Sequence, residues 1–219
     1  MKTTTKKTGK APAIYDKERT KSKLIKAVGK ILVKEGFQNV RINKVAEVAG
    51  VAKKGIYEYF GGLDGLIKAY LSQVDFWQIE KQKLEANNDQ TLPDITKDFM
   101  LNLLKADFQY FLNSAEMQKI VLWGISEKNK AIRALADERE ELGATVFHQA
   151  DEIFKGTKVD YRATIAILVS AIYYTVLHVK GTGGNMCGID VSSKEGTERM
   201  FKAMDRLLQL TYKYADIKL

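Results

Sequence analysis

A single cysteine, two prolines and two histidines are all that 219 residues contain of three chemically distinctive side chains. Cys187 alone cannot close an internal disulfide, which fits a reducing compartment. So few prolines, and no sustained apolar/polar alternation, leave little room for strands, and the expected fold is all-α. No glycine-rich phosphate loop, nucleophile elbow or zinc-protease signature occurs, which argues against an enzyme. His148 and Asp151 share a helix face at i, i+3, with His178 far along the chain. Without a cysteine cluster this is no metal-ligand motif, and neither metal nor cofactor is expected. The opening MKTTTKKTGK is basic but has no apolar core, so no export signal is expected and the location is cytoplasmic.

Acidic residues are scarce where basic ones gather. Residues 1–63 hold fifteen Lys or Arg against five Asp or Glu, a balance of +10, and the remainder stands at −2. A basic excess confined to one segment suits a phosphate-binding module. Residues 1–16 read as a basic, disordered arm whose Lys2, Lys6, Lys7 and Lys10 either follow a DNA backbone or merely solubilise the chain.

From about Lys17 a helix places Leu24, Val28, Ile31 and Leu32 on one stripe, and Gly36 ends it. Phe37 reads as the plug against the next element. Ile42, Val45, Ala46 and Ala49 then recur at i, i+3, i+4 and i+7, and Gly50 supplies a left-handed stop. A second short helix has Ile56 and Phe60 inward and Lys53, Lys54, Tyr57 and Tyr59 outward. Two short helices around a glycine-containing turn, the second basic and phenolic, read as a DNA-binding helix-turn-helix. Lys53, Lys54 and Gly55 lie at the end where such helices meet base edges, with Gly55 permitting close approach. Tyr57 and Tyr59 suit phosphates, as do Arg41, Asn43 and Lys44 at the start of the preceding helix.

Gly36-Phe37, Val45-Ala46, Ala49-Gly50-Val51, Ile56-Tyr57, Tyr59-Phe60 and Leu66 together resemble the N-terminal domain of TetR-type (tetracycline-repressor family) regulators. The resemblance implies an N-terminal three-helix DNA-binding domain, over residues 17–63, and a larger helical domain for ligand binding and dimerisation, over 64–219. It also implies a homodimer on a palindromic operator in double-stranded DNA, released by a small-molecule effector. The chain departs from the family where helix caps are usually Ser or Thr, with Arg41 and Ala52 instead. Lys54-Gly55 replaces the usual Gly-Thr, and Leu63 stands where a lysine commonly opens the fourth helix.

Beyond that domain one helix is expected from about Leu63 to Ala86, broken by Asn87-Asn88-Asp89, and a new start at Thr91-Leu92-Pro93-Asp94. The next helix, about 92–113, shows Ile95, Phe99, Leu103, Ala106 and Tyr110 on one face. Met117, Ile120, Val121 and Trp123 follow, then a charged helix to about Lys155 with Ile132, Leu135, Leu142, Val146 and Ile153 inward. Ala163 to Val179 carry no charged side chain in seventeen residues. That run is short for a membrane span and holds Thr164, Ser170, Thr175 and His178, so no membrane is expected. A helix apolar all round is buried on several sides, one of them against a second subunit. A glycine-rich connection, Gly181–Asp190, and a capping box from Ser192 to Glu195 lead to a last helix striped by Met200, Met204, Leu207, Leu208 and Thr211. Residues 161–180 and 193–215 are the expected homodimer interface, where charging Ile172 or Leu208 should weaken association or unfold the chain. Phe99, Leu103, Trp123, Phe147, His148, Tyr174 and His178 are the expected effector-pocket residues, with Trp123 as a wall.

The function these features suggest is a transcriptional repressor that binds DNA as a homodimer and leaves it when an inducer binds. The alternative left open is a helical ligand-binding or interaction dimer whose DNA-binding surface has weakened.

Overall fold

In the computed structural model, which describes residues 13–86 and 94–217, the described chain folds as ten α-helices and one short 3-10 turn, with no strand. In order these are α1 (Ala13–Glu35), α2 (Ile42–Ala49), α3 (Lys53–Phe60), α4 (Leu63–Val74), α5 (Phe76–Ala86), α6 (Lys97–Asn113), α7 (Ala115–Ser126), α8 (Lys130–Ile153), α9 (Tyr161–Thr182) and α10 (Lys194–Tyr214). Two compact units divide at Leu71/Ser72, inside α4 rather than ahead of it. The breaker Asn87–Asp89, the start at Thr91–Pro93 and residues 1–12 of the expected arm lie outside the described residues. Residue 13 already belongs to α1.

The first unit is built on the α1 stripe. Leu24, Val28, Ile31 and Leu32 are at most 1% exposed, beside fully buried Val45 and Ile56 from the two short helices. The plug after α1 is Val40, not Phe37. A 3-10 turn over Phe37–Asn39 carries the chain around, leaving Phe37 half-buried and Val40 inside. Gly65 fixes how α4 follows α3: a Cβ there would stand 1.9 Å from the Phe60 carbonyl oxygen.

The second unit departs from the expected single helix over 63–86. Asp75 interrupts it and starts α5, its Oδ1 accepting the Gln78 N–H at 3.1 Å. Aspartate is well suited to that role, since it satisfies a first-turn N–H left without an intrahelical partner. Asp75 is fully buried and ion-paired with Arg139 of α8. The Arg139 Nε lies 3.1 Å from Asp75 Oδ2. Burial alone would lower the Arg139 pKa, but Asp75 outweighs it and the guanidinium is held above its ordinary value.

The buried face of α6 is Met100, Leu101, Leu104, Asp107, Phe108 and Phe111. It is turned by about one residue from the expected Phe99, Leu103, Ala106 and Tyr110 stripe, and Ala106 is exposed. A search for apolar positions at helical spacing skips a face containing an aspartate and takes its neighbour. Ile95 is buried but precedes the helix, whose cap is Thr96. On α8, Ile132 and Leu135 are buried as expected, whereas Ile153 is 39% exposed. Phe154, Tyr161 and Tyr212 form a three-ring cluster joining the end of α8 to α9 and α10, the first two stacked at 4.4 Å. The Tyr212 hydroxyl donates to the Ile95 carbonyl at 2.9 Å. Gly183, at φ +69°, ends α9, and an isolated antiparallel bridge joins Met186 to Ile189. The cap of α10 is Ser193, accepting from the Gly196 N–H, and not Ser192.

Asp107 is the anomaly of this core. It is fully buried, and neither carboxyl oxygen has a hydrogen-bond partner. Burial pushes its pKa up to about 7, an effect that the nearby Arg139 guanidinium and Tyr173 hydroxyl offset only in part and that Asp75 reinforces.

Two outcomes follow from this packing. Replacing Gly65 by alanine is expected to lower the stability of the first unit by roughly 1–3 kcal/mol, because the clash is with backbone; a urea titration of the variant reads it directly. Asp107 binds its proton more tightly folded than unfolded, so its contribution to stability is greatest at low pH. That contribution declines between the ordinary aspartate range and about pH 7, then stays flat. Asp107→Asn should therefore raise the melting temperature at pH 8 and change it much less at pH 5; an equal effect at both values would refute an ionised, uncompensated carboxylate.

Candidate nucleic-acid interface

Local chemistry explains the helix-turn-helix. Gly50 adopts the left-handed conformation, at φ +61°, and its N–H closes α2 onto the Ala46 and Glu47 carbonyls. Only Val51 and Ala52 then separate it from α3, which ends at another left-handed glycine, Gly61. Arg41 and Ala52 do occupy the N-cap positions, and neither side chain caps its helix. Arg41 instead donates from Nε to the Gln38 carbonyl at 3.0 Å.

The expected interface residues separate into two groups. Arg41, Asn43, Lys53 and Lys54 are exposed, and Tyr57 is 56% exposed. On α3, Lys53, Lys54 and Tyr57 are related by i+3 and i+4 and so share one face. Lys44 is half-buried and paired with Glu35 at 3.3 Å, so its charge is partly committed within the unit. Gly55 and Tyr59 turn the other way. Gly55 is buried, and a Cβ there would meet Val51 Cγ1 at 3.2 Å and the Tyr59 ring at 3.6 Å. It permits close packing inside the unit rather than approach from outside. Tyr59 is half-buried, with Lys17 Nζ 5.7 Å from its ring centroid. Tyr57 and Tyr59 cannot share an outer face, because positions i and i+2 lie on opposite sides of a helix.

In the second unit the expected pocket residues are spread between the core and the surface. Trp123 is only 4% exposed and belongs to the core. Phe99, Leu103 and Phe147 pack partly buried against the core. Tyr174 is 61% exposed, its ring 6.0 Å from His178, which is half-buried. A cleft of about 500 Å³ lies between the segment Asp94–Lys97, α8 and the chain end, lined by Ile95, His148, Gln149, Ile153 and Tyr212 among others. Of the seven expected residues only His148 reaches it. Asp151 is held by Arg162 at 2.6 Å, a pairing that keeps its pKa below the ordinary range. Among the described residues no three His, Cys, Asp or Glu side chains gather as metal ligands. What sequence reasoning missed is the polar cluster of Asp75, Asp107, Arg139 and Tyr173; its one local signal was an aspartate between Leu104 and Phe111 on α6.

The uncharged run of α9 is not buried all round within the protomer. Ile165, Leu168, Ile172, Val176 and Val179 face inward, while Ile167 is 68% exposed and Tyr174 lies on the same outer side. On α10, Leu208 is fully buried, and Leu207, Leu210 and Tyr214 are exposed. Ile172 and Leu208, expected at a subunit interface, are thus core residues of the protomer itself. Length and composition alone would let α9 cross a membrane, but a core helix passes the same test.

The family model for bacterial regulatory proteins of the tetR family matches residues 24–70. No characterised protein matches the sequence. Among solved structures, the fatty acid degradation regulator FadR from Bacillus halodurans superposes with a TM-score of 0.59 at 14% identity, covering 85% of this chain and 96% of that one. FadR from Bacillus subtilis in complex with stearoyl-CoA gives 0.56 at 16% identity, covering 87% and 96%. NalD, the secondary repressor of the MexAB-OprM multidrug efflux pump in Pseudomonas aeruginosa, gives 0.61 at 15%, covering 87% and 96%. Residues 24–70 thus match the helix-turn-helix domain of the tetR family, and the chain as a whole shares the helical fold of these regulators along most of its length.

Proposed function

We propose that this protein is a repressor that binds a palindromic operator as a homodimer and releases it when a small molecule binds the second unit. The observation that carries the reading is the exposed face of α3, where Lys53, Lys54 and Tyr57 stand together on a segment with a +10 charge balance. A face of that kind suits the major groove, with the lysines near base edges and the Tyr57 hydroxyl near phosphate. Arg41 and Asn43 stand exposed at the start of α2, whose first N–H groups have no side-chain cap and suit a phosphate oxygen. Lys44, Gly55 and Tyr59 then act by supporting the helix pair.

Support for the dimer comes from the outer faces of α9 and α10. Ile167, Tyr174, Leu207, Leu210 and Tyr214 are apolar or aromatic and exposed, at helical spacing, within residues 161–180 and 193–215. Two such helices from each subunit form a four-helix interface around a two-fold axis, matching a palindromic site. The uncapped α2 and α3 favour a second reading, an effector-binding dimer whose grip on DNA has weakened.

Binding titrations on selected and scrambled duplexes at several salt concentrations separate the two. Affinity should fall steeply with salt through counterion release. Lys54→Ala should lose about tenfold on the selected duplex and relax its preference, whereas Tyr57→Phe should weaken both duplexes alike. A folded, effector-free dimer that ignores DNA would support the weakened surface. For assembly, Leu210→Glu should yield a folded monomer by sedimentation, while Leu208→Glu, in the protomer core, should unfold the chain. A Leu210→Glu protein that remains dimeric would rule out this interface.

A further inference from the structure

Among the described residues Asp107 is the only buried side chain whose oxygens lack hydrogen-bond partners. Its one cationic neighbour is committed elsewhere. Arg139 directs both Nε and Nη2 to Asp75 Oδ2, and Asp75 Oδ1 takes the Gln78 N–H. The Tyr173 hydroxyl receives the Trp77 indole N–H at 3.0 Å and keeps its own proton, whose pull on Asp107 lowers the carboxyl pKa without supplying a positive charge. The cluster therefore holds two carboxylates and one cation, so an ionised Asp107 leaves it one positive charge short. A buried charge without a counter-charge is strongly unfavourable unless something supplies one.

The surroundings specify what would do so. The Tyr173 ring lies 4.8 Å from Phe111, and Phe76 packs edge-on against Trp77 at 5.1 Å. Aromatic faces beside a carboxylate favour a cation attached to an apolar body. The outer members of the cluster reach the surface: the Arg139 side chain is 22% exposed, and Trp77 and Tyr173 are half-buried. Nothing in the set recommends a carboxylate, phosphate or acyl thioester, each of which would place more negative charge or an acceptor against Asp107.

We propose that Asp107 is the receptor for a protonated amine carried on an aromatic or aliphatic body, and that the cluster around it is the effector site. This rests on the reading above that the second unit binds an effector. The ammonium donates to the two free carboxyl oxygens, and its apolar part lies along Trp77, Phe111 and Tyr173. Asp75 and Arg139 position the carboxylate without contacting the amine.

The test uses the full-length protein without DNA and three probes of one shape: phenethylamine, 2-phenylethanol and 3-phenylpropanoate. Calorimetric titration and thermal shift are run at pH 8, where the amine is protonated and Asp107 ionised. Phenethylamine should bind and raise the melting temperature, the alcohol and the carboxylate should not, and Asp107→Asn should weaken amine binding at least tenfold while remaining folded. No amine binding, equal binding by Asp107→Asn, or preference for either other probe would overturn the proposal. Release of operator DNA is measured separately. Amine binding that depends on Asp107 but leaves the DNA complex intact would keep the site and remove its role as inducer.

Discussion

Where the chain leaves α4 and enters α5 it places a carboxylate, Asp75, wholly out of reach of water, and that arrangement stands only because Arg139 meets it from α8. The two residues are 64 positions apart. The same carboxylate caps α5 with its other oxygen, so one side chain ends a helix, starts the next and ties α5 to α8. The Tyr110 hydroxyl adds a bond from α6 to the Val74 carbonyl at 2.7 Å, at the last residue of α4. An ion pair in a low-dielectric interior is of little value as net stabilisation, because desolvation opposes it, but it penalises every arrangement that separates the partners. Here it fixes where α4 stops.

The protein distributes its unsatisfied chemistry unevenly. The first unit is well packed inside and basic outside, with Lys53, Lys54 and Tyr57 on one helix face. The second unit has most of its exposed large apolar residues on α9 and α10, with others on α7 and α8, and its unpartnered polar group deep inside on α6. In the reading proposed above, these three features take different partners: phosphate, a second copy of the chain and a cationic small molecule.

The solved structures that share this fold do not share its ligand chemistry by necessity. At 14–16% identity the common feature is the arrangement of helices. Bacillus subtilis FadR holds stearoyl-CoA, whereas the set of Asp75, Asp107 and Arg139 here brings two carboxyl groups to one guanidinium. A helical frame sets where a cavity can form, and the few polar residues projecting inward decide what enters it.

Much of the first unit was legible in the sequence because its signals are local. Apolar spacing from Ile42 to Ala49, the left-handed stop at Gly50 and the cap positions of Arg41 and Ala52 each depend on a few neighbouring residues. So did the charge division at residue 63 and the exposure of Lys53 and Lys54. Direction around a helix was harder: Tyr59 and Gly55 were placed outward although the spacing to Tyr57 forbids a shared face. The second unit held most of what only tertiary structure could decide. The α6 face turned by one residue because its inward position 107 is an aspartate, tolerated by burial beside Arg139 rather than by any helical pattern. The uncharged run of α9 showed that some partner was needed, but which of its residues serve the protomer's core and which face outward followed from where α6 and α10 pack. Ion pairing across 64 residues and the facing of helices are long-range, and no local periodicity encodes them.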